Sequence, residues 1–312
     1  MRYYGIKKKI LYCGLIVLLF FILLHPSRNA KGTYEFIERE HILSNLLYDT
    51  AENFSSTAIV ECDYYNVVYD DSTLSISIAD GDLVENHRVK DGGEYVPVEC
   101  RPSLSTAIII PYRDRAEQLR AFLVYMHMFL RRQFIHYRIY VVEQVDSKPF
   151  NTAKLMNIGA AAAIRAGFPC LVLHNVDLLP LRPANLYACT KLPRHLSSSI
   201  NKLRFVLPHQ NVFSGVVSIS SKQFKLINGM TNGNTGDKSD LHNRLKVAGI
   251  KITRYEPSLS RYYMSSQKLQ RKVIRFNRDM KQEMKKDGLN SLMYTEVATV
   301  LHPLFTHIMV DL

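Results

Sequence analysis

The chain has 312 residues, 47% of them hydrophobic and 22% charged, and a formal net charge of +12. This is an ordinary globular composition, with room for one large domain or two small ones around a sizeable core. The basic balance could suit nucleic acid, but it comes with no nucleic-acid motif, so the expectation is a solvated or anion-facing surface and no nucleic-acid partner.

Taken from the N-terminus, Arg2, Lys7, Lys8 and Lys9 precede an uncharged apolar run over residues 10–24. With His25, Pro26 and Ser27 the run reaches the length that spans a bilayer core of about 30 Å. The basic flank puts the N-terminus in the cytosol and the remainder in the lumen. Residues 1–9 therefore read as a tail, 10–24 as an uncleaved signal anchor and 25–60 as a lumenal stem. A cleaved signal peptide is the rival, with a weak cleavage pattern at Ser27 and Ala30. The stem carries the sequon Asn53-Phe54-Ser55, which makes Asn53 a glycosylation candidate. Residues 61–312 are the lumenal domain, with an N-terminal part at 61–105 and a nucleotide-binding and acceptor part at 106–312.

Five cysteines are present, and Cys13 lies in the anchor. Cys62, Cys100, Cys170 and Cys189 form an even set, so an oxidising compartment implies two disulfides with three pairings open. None forms a Cys-x-x-Cys, which argues against zinc. Residues 62–100 read as polar and β-rich, with a turn at Asp91-Gly92-Gly93.

The core begins with the β-branched run 106–110, which stops at Pro111 and opens into the charged loop Arg113-Asp114-Arg115. Residues 117–131 carry apolar side chains at helical spacing, and 137–142 read as a second strand. An Ala-rich helix over 153–166 leads to a third strand at 171–174. Strand, helix, strand, helix, strand is a doubly wound α/β pattern. Beyond it, 205–207 and 216–220 read as strands, and 222–227 and 241–248 as helices around a Gly/Asn-rich loop. The third strand delivers Asn175 and Asp177, two apart and so able to point to one side. Ligands bind at such carboxyl strand ends, and a carboxylate there suits a hard divalent ion carrying a diphosphate.

With these motifs in order, residues 62–312 resemble the β-1,4-galactosyltransferase family. The matching stretches are Ile109-Ile110-Pro111-Tyr112-Arg113-Asp114-Arg115, Phe150-Asn151-Thr152-Ala153-Lys154, Asn175-Val176-Asp177-Leu178, Phe213-Ser214-Gly215-Val216 and Asp287-Gly288-Leu289-Asn290-Ser291. The resemblance implies a Rossmann-like GT-A fold behind an N-terminal signal anchor, as a single-pass type II protein of the Golgi membrane. It implies a Mn²⁺-dependent, inverting transfer of Gal or GalNAc from a UDP-sugar to a GlcNAc-type acceptor on glycoprotein or glycolipid. It also implies the pairs Cys62–Cys100 and Cys170–Cys189.

Residue by residue, Pro111, Arg113, Arg115, Phe150, Val176 and Asp177 match nucleotide-sugar positions, and Arg275 and Phe276 match acceptor positions. Asp177, Met264 and Gln267 stand at the metal-ligand positions, with Gln267 in place of the family's histidine. Asn175 replaces the first aspartate of Asp-Val-Asp, and Thr152 replaces an arginine. The family's Trp-rich loop has become residues 232–240, and the chain has no tryptophan. Lys238 falls on the position of the catalytic aspartate, so the base is Asp237 or Asp240 if the loop takes another register. Val212 stands where galactose-specific members carry tyrosine, which leaves room for an N-acetyl group. The alternative is a family member without turnover, binding glycan or UDP, or acting as a scaffold beside a partner glycosyltransferase.

Overall fold

The computed structural model describes residues 2–24, 34–49, 60–76, 88–233, 240–265 and 280–312. Its first helix, α1 (Arg2–Leu23), holds the long apolar run. No helix among the described residues is long and apolar enough to cross a membrane.

Two short helices follow, α2 (Ile42–Asn45) and α3 (Tyr65–Val68). Part of the expected stem is seated on the body. Ile37 bridges to Tyr255, Leu46 bridges to Thr190, and Ile42 is fully buried. Those apolar side chains gain more from burial than a free stem would offer. The β-rich expectation for 62–100 is also corrected. Its described part holds α3 and one two-residue strand, β1 (Glu94–Tyr95), while the turn at Gly92 and Gly93 forms with positive φ at both. A Cβ on Gly93 would lie 2.3 Å from the Leu304 carbonyl oxygen, so only glycine fits there.

The central elements follow the alternating pattern. They are β2 (Ser105–Tyr112), α4 (Ala116–Arg131), β3 (His136–Gln144), α5 (Thr152–Arg165) and β4 (Cys170–His174). Strand periodicity divides β2 between two cores. Ile108 and Ile110 pack with Phe122, Tyr125 and Phe129 of α4. Ala107 and Ile109 pack with Leu155 and Ile158 of α5 on the other face. Helix α5 begins at a side-chain cap, where Asn151 accepts from the Lys154 N–H.

The remaining strands are β5 (Leu178–Pro180), β6 (Arg194–His195), β7 (Ser199–Ile200), β8 (Val216–Ser220), β9 (Arg261–Met264), β10 (Thr295–His302) and β11 (Phe305–Asp311). The main sheet runs β10-β11-β3-β2-β4-β8-β6, with β1 also on β3. Strands β11, β3, β2 and β4 are mutually parallel, β10 and β8 run antiparallel to them, and β6 pairs antiparallel with β8. Strands β5, β9 and β7 form a second, small sheet. Helices α6 (Ser221–Leu226), α7 (Asp240–Val247) and α8 (Met280–Lys286) complete the order.

Residues 205–207, expected as a strand, are a turn instead. Arg204 and Phe205 both take positive φ, 54° and 58°, which breaks extended backbone. Both disulfides, Cys62–Cys100 and Cys170–Cys189, are formed as the resemblance implied.

Candidate functional site

Parallel β2, β3 and β4 end on one edge of the sheet and deliver three loops there, the position where α/β folds bind ligands. The β2 loop starts after buried Pro111 and turns through Asp114, whose φ is +50°. The Tyr112 hydroxyl accepts from the Arg115 N–H. Arg115 then reaches across to Asp177, with Nη1 2.7 Å from Oδ2. The Asp177 side chain is 11% exposed and that of Arg115 is 45% exposed, so the pair sits at the mouth of the site.

The β3 loop orients the second arginine. Both Nη atoms of Arg113 donate to the Lys148 carbonyl at 2.9 and 2.8 Å, and the guanidinium lies 5.2 Å from the centroid of the Phe150 ring. Buried Gln144 fixes this loop by accepting from the Asn151 N–H and donating to Asp146. A planar cation held over an aromatic face, with the ring 41% exposed, makes a platform for a flat or anionic group.

The β4 loop is a tight turn. Asn175 Oδ1 accepts from the Asp177 N–H at 3.0 Å, and its carbonyl accepts from the Leu178 N–H. Asparagine therefore serves the turn as an aspartate would, with one negative charge fewer beside Asp177. The Val176 side chain is buried in the core. Gly215, the residue before β8, supports the turn, its carbonyl accepting from the Asn175 N–H. Its φ is +92°, and an added Cβ would lie 2.7 Å from Ser197 Oγ and 2.9 Å from Leu178 Cδ1. Gly215→Ala should lower unfolding free energy by about 3 kcal/mol through backbone strain and overpacking. Urea denaturation of the purified chain checks this.

Met264 arrives through the small sheet, where β5 and β9 pair Leu178 with Met264. The Met264 N–H donates to Asn201 Oδ1, and the Ser265 N–H donates to the Asp177 carbonyl. Two of the expected metal ligands, Asp177 and Met264, are thus on adjoining segments. Gln267, Arg275, Phe276, Asp237, Lys238 and Asn53 lie outside the described residues.

Asp240 is described, and it anchors structure. It is 4% exposed at the start of α7, paired with Arg244 at 3.1 Å, and it accepts from the Thr231 N–H at 2.8 Å. A carboxylate held this way is a poor proton acceptor for a ligand outside.

Other supporting residues had no site role assigned from sequence. Fully buried Asn157 donates to the Met230 carbonyl and accepts from the Met230 N–H. Asp287 accepts from Thr231 Oγ1 and the Asn232 N–H. Together they fix the segment leading to residue 233. A polar Asn in the apolar face of α5 was the available signal. Arg254 Nη2 donates to the carbonyls of Gln210 and Val212, which holds the segment carrying Val212. Burial pushes His174 and His195 down to about 3, so both rings are neutral near pH 7.

A central parallel sheet with this arginine- and carboxylate-bearing edge defines a mixed α/β protein of the GT-A glycosyltransferase type. The family model for the N-terminal region of glycosyl transferase group 7 matches residues 70–190. The model for the N-terminal domain of galactosyltransferase matches residues 194–268. The mouse (Mus musculus) β-1,4-galactosyltransferase 2 is 38% identical over 239 residues, 73% of this chain and 65% of that protein. The Bos taurus β-1,4-galactosyltransferase 1 is 38% identical over 238 residues, 73% of this chain and 59% of that protein. The chain thus matches just under two thirds of the length of these relatives. A mutant of Drosophila β-1,4-galactosyltransferase 7, crystallised with manganese, UDP-Gal and xylobiose, superposes with a TM-score of 0.55. It is 27% identical and covers 67% of this chain and 93% of its own. The chain belongs to the β-1,4-galactosyltransferase family.

Proposed function

We propose that this protein is a Golgi glycosyltransferase that transfers Gal or GalNAc from a UDP-sugar to a GlcNAc-type glycan with inversion. The observation that carries the reading is the convergence of Arg113, Arg115, Phe150 and Asp177 on one sheet edge, with Arg115 2.7 Å from Asp177. Arg115 can exchange its carboxylate partner for a donor phosphate, since guanidinium binds both in the same forked geometry. The exposed Phe150 ring offers a face to the uracil, with Arg113 steadying it. Val212 favours GalNAc through the space it leaves.

The residues fit a divalent ion. Asp177 offers a hard carboxylate oxygen, Met264 is on the adjoining strand, and Gln267 completes the expected set. With one carboxylate in the set, such an ion would need oxygen ligands from the donor as well, a donor set that suits Mn²⁺. When bound, that ion would neutralise the leaving diphosphate. The chain's own task is to hold the donor by Arg113, Arg115 and Phe150, and to present the acceptor along Arg275 and Phe276.

A second reading, a binder without turnover, is favoured by the engagement of Asp240 with Arg244 and Thr231. That leaves Asp237 as the base beside Lys238. An assay of UDP-Gal and UDP-GalNAc on a GlcNAc glycoside separates the two. Metal-dependent release of UDP with a β-1,4-linked product supports the enzyme; UDP binding without product supports the binder.

A further inference from the structure

A chain of hydrogen bonds runs behind the candidate site, and the backbone of β9 closes it into a circuit. His174 Nδ1 lies 2.9 Å from the Asn175 carbonyl, Nε2 lies 2.8 Å from the Tyr187 hydroxyl, and that hydroxyl lies 2.9 Å from the Tyr262 hydroxyl. All three side chains are fully buried. Elementary bonding fixes the direction. A carbonyl only accepts, so Nδ1 carries the proton and Nε2 accepts from Tyr187. Tyr187 has then spent its proton, and Tyr262 donates to it.

The circuit links separate elements. Tyr187 is held by its own backbone, where its N–H donates to Gln133 and its carbonyl accepts from Thr106. Tyr262 sits on β9, two residues before Met264. From Ser265 the path returns through its N–H to the Asp177 carbonyl, and Asn175 Oδ1 holds the Asp177 N–H. The turn carrying Asp177 and the strand carrying Met264 are therefore braced from the core side by one polar ring. Buried hydroxyls at such a position are costly unless every one is paired, and here they are paired with one another.

We propose that Tyr262 and Tyr187 are positioning residues that act through His174 to hold the Asp177 turn in register with Met264. The inference rests on the metal-binding role proposed for those two residues. Outer partners of this kind set how well a ligand pair meets its ion. If the tyrosines only filled the core, Phe in their place would serve equally.

The test is Tyr262→Phe in the full chain, which keeps the ring and removes the donor. Amide hydrogen exchange should speed about ten-fold in both 174–178 and 261–265, the loss of one buried hydrogen bond. In UDP titrations the apparent Mn²⁺ affinity should fall about ten-fold, with metal-free UDP affinity unchanged. Tyr187→Phe should give the same paired exchange response, so a folding failure of either variant leaves the other to decide. Exchange changes confined to 261–265, or an unchanged Mn²⁺ affinity, would overturn the proposal. The exchange experiment needs no ligand: a wild-type chain that ignores UDP would refute the functional reading while exchange still decides the bracing.

Discussion

Replacing Asp177 with alanine should abolish metal-dependent UDP binding, with a loss of more than about 100-fold in the apparent affinity for Mn²⁺. A substitution outside the ligand set already costs 10 to 100-fold, so loss of the ligand itself must cost more. The same substitution frees Arg115, whose Nη1 otherwise lies 2.7 Å from the Asp177 carboxylate. Metal-free UDP binding should then hold steady or tighten, because the guanidinium no longer has to leave a partner to meet the diphosphate. Opposite responses of metal-dependent and metal-free binding mark this site in a way that general unfolding cannot. Equal loss of both would place Asp177 in the architecture alone. Calorimetric titration of UDP with and without Mn²⁺ reads both quantities in one preparation.

The second large effect concerns Lys238. It stands at the catalytic aspartate position when the loop is aligned without a gap from Asn243-Arg244-Leu245. A protonated lysine cannot take the acceptor hydroxyl's proton without a large drop in its pKa. Asp240, one of two nearby substitutes, is taken up by Arg244 and Thr231. Lys238→Asp should therefore raise transfer to a GlcNAc acceptor by 10² to 10⁴-fold, the usual contribution of a positioned base. Its KM for the UDP-sugar should stay nearly constant, because the residues proposed to hold the donor are Arg113, Arg115 and Phe150, away from the loop. Initial-rate kinetics at saturating donor check this. If Lys238→Asp leaves the rate unchanged while Asp237→Asn abolishes it, the loop works in the shifted register.

The elements that position the site were the legible ones. β2 and β3 are rich in β-branched residues, β4 is a short apolar run, and α4 carries an apolar stripe at helical spacing. Those signals are local. Other features rest on long-range contacts that no window contains. The docking of 34–49 depends on Tyr255 and Thr190, far along the chain. Strand β10 was missed because its residues are exposed or half-exposed on both faces, so no alternation appears. Residues 205–207 looked like a strand because they include Phe205, Val206 and Leu207, but two left-handed residues turn the backbone there. In the site, Arg113, Arg115 and Asp177 were legible from the family motif, and their mutual geometry was not. The Tyr262 hydroxyl was invisible for the same reason, since its partner Tyr187 is 75 residues away.

The central claim is that a UDP-sugar binds, with a divalent ion, at the edge where β2, β3 and β4 end. Titrating the wild-type chain with UDP, with and without Mn²⁺, tests it most directly. The account predicts binding that strengthens with Mn²⁺ and loses that dependence in Asp177→Ala. An absence of UDP binding in both conditions would contradict it.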